Sequence, residues 1–252
     1  LEIKTIMQNN YHLEVCAFTI QSCIIAEKSG AARVELCDNP IEGGTTPSYG
    51  TIRRVREAVS IALFPIIRPR SMNYFYDNDE WAIVHDDIRM CKELGCDGVS
   101  VGAQLRDGRI DAVRMRQAVE WAFPMKVTCN RAFDAVPDAF EALEVLIDAG
   151  CERVLTSGLA ATAPEGIQML RQLVQKSAGR ISIMPGAGVR SHNLKTLVAE
   201  TGAFEFHSSA RVSVPNPMYF TNPLVSDAGE MWVAEEEELR RMVSILQQTG
   251  NQ

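Results

Sequence analysis

Cys16, Glu35, Cys37, Arg68, Arg70, Glu205 and His207 alternate with apolar neighbours in short β-branched runs. Side chains alternate along a strand, so residues lying between outward-facing apolar neighbours share the opposite face. With Leu13 and Val15 turned outward, Glu14 and Cys16 turn inward; with Val34 and Leu36 outward, Glu35 and Cys37 turn inward. The same parity sends Arg68, Arg70, Ser100, Thr128, Asn130, Ser157, Glu205, His207 and Ser209 toward one common axis. So many polar groups inside a barrel exceed what packing selects, because each ionisable group is costly to bury without a partner or a ligand. A functional mouth is the expectation.

Two chemistries fit this set. Cys16 and Cys37 fall on neighbouring strands about 4.8 Å apart, and two thiolates at that spacing suit a soft ion such as Cu(I). The alternative is acid–base work on a small sugar, polyol or sugar phosphate, as in a lyase or isomerase. Glu35 or Glu205 then serves as base, His207 as acid, and Arg68 and Arg70 as clamps on oxyanion charge. The run Met184-Pro-Gly-Ala-Gly-Val189 leads into a helix start, so Gly186 and Gly188, with Ser208 and Ser209 one unit later, are candidate anion donors. Lys126 has inward parity but stands at the opposite end of its strand, which disfavours a Schiff-base aldolase. His12, His85 and His192 stand isolated.

The elements that must position these residues repeat. An amphipathic stretch, a Gly-small pair and a β-branched run recur at Gly30, Gly95, Gly150 and Gly202, where glycine suits a left-handed helix C-cap. Further runs at 13–18, 63–70, 126–133 and 181–188 bring the strand count to eight, with helical patterns in the gaps. Eight units of about 31 residues are the arithmetic of a single-domain α/β TIM (β/α)8 barrel. Residues 1–12 read as a lead-in and 13–252 as the barrel. An aperiodic loop at 212–231, between the last strand and last helix, reads as a lid or an interface.

Composition narrows the partners. Twenty-five basic and 32 acidic residues give a net charge of −7 without a basic cluster, which argues against nucleic acid or an anionic membrane. A small molecule or a metal ion is the expected partner. Seven cysteines lack zinc-finger spacing. The mixed start and the absence of a long apolar run read as a cytoplasmic chain.

Several segments together resemble the CutC family. They are Leu13-Glu-Val-Cys16, Ala32-Arg-Val-Glu-Leu-Cys37, Glu42-Gly-Gly-Thr-Thr-Pro-Ser48, Pro65-Ile-Ile-Arg-Pro-Arg70, Arg131-Ala-Phe-Asp134, Arg153-Val-Leu-Thr-Ser-Gly158, Pro185-Gly-Ala-Gly188 and Glu205-Phe-His-Ser-Ser-Ala-Arg211. The resemblance implies a cytosolic TIM barrel, often dimeric, with a part in copper homeostasis and Cu(I) held at Cys16 and Cys37. It also brings Asn130 and Asp134 into the candidate site. Asn130 stands where the family usually has His, and an amide cannot titrate, so only hydrogen-bonding orientation survives there.

Overall fold

A computed structural model describes residues 11–215, 217–220, 222, 224 and 231–250. Most of the expected lead-in and the centre of the 212–231 loop lie outside the described residues. Eight parallel strands form the barrel: β1 (His12–Ala17), β2 (Arg33–Leu36), β3 (Ala62–Ile67), β4 (Gly98–Val101), β5 (Lys126–Cys129), β6 (Arg153–Thr156), β7 (Ser182–Pro185) and β8 (Glu205–Ser208). Hydrogen bonding runs in the order β7-β6-β5-β4-β3-β2-β1-β8, and β7 and β8 lie side by side to close the ring.

Eight helices surround the strands: α1 (Ile20–Lys28), α2 (Tyr49–Ala58), α3 (Asn78–Glu93), α4 (Ala112–Ala122), α5 (Ala139–Ala149), α6 (Ile167–Ser177), α7 (Ser191–Thr201) and α8 (Glu236–Gly250). Local chemistry sets their ends. Ser48 accepts from Thr51 N–H, Asp111 from Arg114 N–H and Asp138 from Glu141 N–H, while Asp77 and Glu80 form a reciprocal capping box on α3. The outward strand residues, among them Val15, Val34, Leu63, Ile67, Val99, Val127 and Val154, are buried against these helices. They form a continuous apolar shell between strands and helices.

The barrel axis is polar at its base. Arg33, Arg153 and Glu205 each begin a strand, and their side chains meet inside. Glu205 accepts from Arg33 at 2.6 Å and from Arg153 at 3.0 Å. Both guanidinium groups lie over the Phe64 ring, 5.1 and 5.3 Å from its centroid. The ring needs Gly98 beneath it, because a Cβ there would come within 2.2 Å of the ring edge. Glu205, expected at the mouth, therefore belongs to the opposite end of the axis. Alternation fixes the face a residue takes but not its height.

The 212–231 segment is also more ordered at its ends than an aperiodic loop. Arg211–Val214 (β9) pairs antiparallel with Met231–Ala234 (β10). Ala234 N–H donates to the Ser22 hydroxyl on α1, which ties the ribbon to the barrel wall.

Candidate metal and ligand site at the barrel mouth

The register of β1 against its neighbours builds the centre of the mouth. Glu14 pairs with His207 of β8 and Cys16 with Glu35 of β2, so four inward side chains from three adjacent strands converge. The Cys16 and Cys37 sulfurs are 3.7 Å apart, and Cys37 S–H donates to Glu35 Oε2 at 3.5 Å. One donor atom each from Cys16, Glu35 and Cys37 lies within 4.8 Å of the others. His207 Nδ1 is 2.8 Å from Glu14 Oε1, and its Nε2 is 3.8 Å from Glu35 Oε2. Glu14 also pairs closely with Arg33, which joins the mouth to the base network.

These contacts separate two neighbouring carboxylates. Burial opposes ionisation of Glu14, but Arg33 and His207 outweigh it and hold the carboxyl well below the usual range. Glu35 has no such guanidinium, and burial pushes its pKa up to about 8. Burial also disfavours a charged His207, yet Cys16, Glu14 and Glu35 together keep its pKa well above the usual imidazole value. The shared hydrogen bond between the sulfurs divides the thiols: Cys16 is held below the ordinary thiol value and Cys37 above it. The cluster therefore favours one carboxylate, one imidazolium, one readily formed thiolate and one protonated carboxyl at neutral pH.

A cavity of about 360 Å³ opens over this cluster, with Cys16, Glu35, Cys37, Asn130 and His207 in its floor. Asn130 uses Oδ1 to accept from Ala132 N–H at 3.0 Å. Its Nδ2 and the second oxygen of Glu35 are buried without hydrogen-bond partners. Gly188, Ser208 and Ser209 line the upper wall with Arg131, Arg190 and Arg211.

Other expected site residues have different occupations. Arg70 lies beyond the end of β3, where strand parity no longer applies; it pairs with Glu80, donates to Phe75 O and stacks on Tyr76. It is a loop anchor and not a clamp at the mouth. Arg68 gives Nη1 to the Glu42 and Gly44 carbonyls and stacks over Tyr74, so it fastens the β2–α2 connection. Asp134 accepts from Ser157 N–H, Leu159 N–H, Thr156 Oγ1 and Arg131, all holding the loop after β6. Gly186 is glycine for space: a Cβ would come within 2.4 Å of Leu155. The α7 N-terminus, expected to receive an anion, already holds the Glu238 carboxylate, which accepts from Ser191 N–H and Oγ at 2.7 and 2.8 Å. Ser208 donates to Val189 O, whereas the Ser209 hydroxyl has no partner among the described residues.

Glu14, Arg33 and Arg153 escaped the list of candidates although the alternation that found Cys16 and Glu35 also turns them inward. Arg190 and Arg211 had no such signal, because both lie beyond the barrel strands, Arg190 at the start of α7 and Arg211 at the start of β9. Lys126 is mostly exposed beside Glu152 at the base, away from the mouth.

Fold and site define a TIM barrel with a buried dithiol–carboxylate–imidazole cluster at its C-terminal end. The sequence pattern of the CutC family matches residues 11–212. A CutC family protein of Chromobacterium violaceum is 48% identical over 82% of this chain and 84% of its own length. The mouse copper homeostasis protein cutC homolog is 43% identical over 86% of this chain and 80% of its own. The crystal structure of CutC from Streptococcus agalactiae superimposes with a TM-score of 0.76 at 31% identity, covering 79% of this chain and 98% of that one. The chain belongs to the CutC family.

Proposed function

We propose that the protein binds Cu(I) through Cys16 and Cys37 and acts in copper homeostasis in the cytoplasm. One observation carries the reading: two sulfurs 3.7 Å apart at the floor of an open cavity. Thiolates are soft donors that select Cu(I) over harder ions. The copper homeostasis name of the mouse relative supports the same reading. Copper is cargo here. Cys16 and Cys37 supply its bonds, while Glu14 fixes the orientation of His207 beside them.

All seven cysteines are free thiols, a usage that fits a reducing compartment. Among the described residues no helix is long and apolar enough to cross a membrane. Exposed Ile41 and Met72 offer apolar contacts for a homodimer, which sedimentation velocity would detect. The acid–base alternative loses Glu205 and Arg70, which lie away from the mouth, and Arg68, which is committed to backbone carbonyls.

An anaerobic titration against a chromogenic Cu(I) chelator tests the proposal. The Cys16→Ser/Cys37→Ser double variant should lose tight Cu(I) binding while circular dichroism stays native. Unchanged affinity in that folded variant would end the reading.

A further inference from the structure

The cavity is much larger than an ion requires. Its volume of about 360 Å³ falls among pockets that take small organic ligands, about 300–1,000 Å³. Its floor carries two buried polar atoms without partners, Glu35 Oε1 and Asn130 Nδ2, on side chains of residues only 4% and 2% exposed. Its upper wall carries Arg190 and Arg211, neither of which has a carboxylate partner among the described residues. Arg190 donates to the Arg211 carbonyl at 3.0 Å, and Arg211 lies 4.9 Å over the Trp232 ring. Among the described residues both guanidinium groups are thus held in place without a compensating carboxylate, an arrangement that suits a carboxylate ligand.

Sulfur spacing adds a second constraint. With metal–thiolate bonds of about 2.3 Å, two sulfurs sit about 4.6 Å apart across a linear metal and about 4.0 Å apart in a trigonal one. The thiols as they stand are 3.7 Å apart, well short of the linear spacing and within reach of the about 3.8–4.0 Å of four- or three-coordinate metal, so an ion held here without spreading them takes at least one further donor. A trigonal Cu(I) site calls for a third soft donor, yet the third group in the cluster is the Glu35 carboxylate, a hard oxygen ligand.

We infer that the cavity binds a small carboxylate-bearing thiol, whose sulfur completes a three-thiolate Cu(I) site with Cys16 and Cys37 and whose carboxylate rests on Arg190 and Arg211. The inference rests on the copper reading above and names the form in which the metal is held and exchanged. Copper remains Cu(I) and no electron moves. The incoming thiol releases its proton to solvent as its sulfur bonds the metal, and departure reverses the step. Copper then passes to or from a carrier thiol by exchange of one sulfur at a time.

The test uses the full chain under anaerobic conditions with reduced glutathione as the probe and S-methylglutathione as the control that keeps both carboxylates but lacks a free thiol. X-ray absorption of the Cu(I)-loaded protein should show a third sulfur only when reduced glutathione is present. By calorimetry the loaded protein should bind reduced glutathione at least about tenfold more tightly than the control, and Arg190→Gln/Arg211→Gln should weaken that binding by about tenfold or more, the worth of one lost charge-assisted hydrogen bond. A two-sulfur copper site with and without glutathione, or equal affinity for probe and control, overturns the inference and leaves the copper reading standing. Failure to bind Cu(I) under any condition removes both. If the arginine variant does not fold, the comparison of probe with control on the wild-type chain still decides.

Discussion

The base and the mouth of this barrel are built from the same kinds of side chain and end in opposite states. At the base, Glu205 accepts from both Arg33 and Arg153, and Phe64 covers the two guanidinium planes. That network closes on itself. At the mouth, Glu35 and Asn130 each keep a buried polar atom without a partner, and two thiols face an open cavity. Buried charge therefore does not by itself mark a site. The mark is buried polarity left unsatisfied in the floor of an open cavity.

The largest effect is expected at the base. Glu205→Ala leaves two buried guanidinium groups short of their carboxylate and should cost about 3–5 kcal/mol in urea denaturation, with the folded fraction still binding Cu(I). A cost below about 1 kcal/mol would mean the base network is not the closed structure described. At the mouth the effects should reverse. Cys16→Ser/Cys37→Ser should lower Cu(I) affinity beyond the about 10–100-fold typical of losing an outer partner, with little change in the denaturation midpoint.

Glu35→Gln sharpens the contrast through pH. Burial raises the Glu35 pKa from 4.5 to about 8 in the folded protein, so between those values the folded state holds a proton that the unfolded chain has lost. Its favourable contribution is complete below the unfolded value and is lost as pH rises through about 8. The wild type should therefore lose stability relative to the Gln variant across that window, by up to about 5 kcal/mol, in denaturant titrations at several pH values. Parallel pH profiles would show that Glu35 ionises as freely in the folded chain as in the unfolded one. Smallest of all, Arg70→Ala removes a partly exposed pair with Glu80 and should cost less than about 1 kcal/mol, without altering Cu(I) affinity.

The eight-unit repeat and the facing of strand residues were legible because both depend on local periodicity. Cys16, Glu35, Cys37 and His207 converge as alternation requires. Height along the axis was not legible, since it depends on register between strands; Glu205 shares parity with His207 and ends two residues lower, among the base arginines. Parity also lapses where a strand stops. Ile67 closes β3, so Arg70 follows the loop toward Glu80. The occupied α7 N-terminus escaped notice for a different reason: its carboxylate, Glu238, comes from a helix 47 positions away, and no local pattern announces such a pairing.

Arg33 touches both Glu14 and Glu205, so Arg153, Glu205, Arg33, Glu14 and His207 form an unbroken column of alternating sign from base to mouth. Its electrical balance is set before any metal arrives. The column holds Glu14 ionised and fixes His207 beside the thiols by contacts drawn wholly from within the barrel.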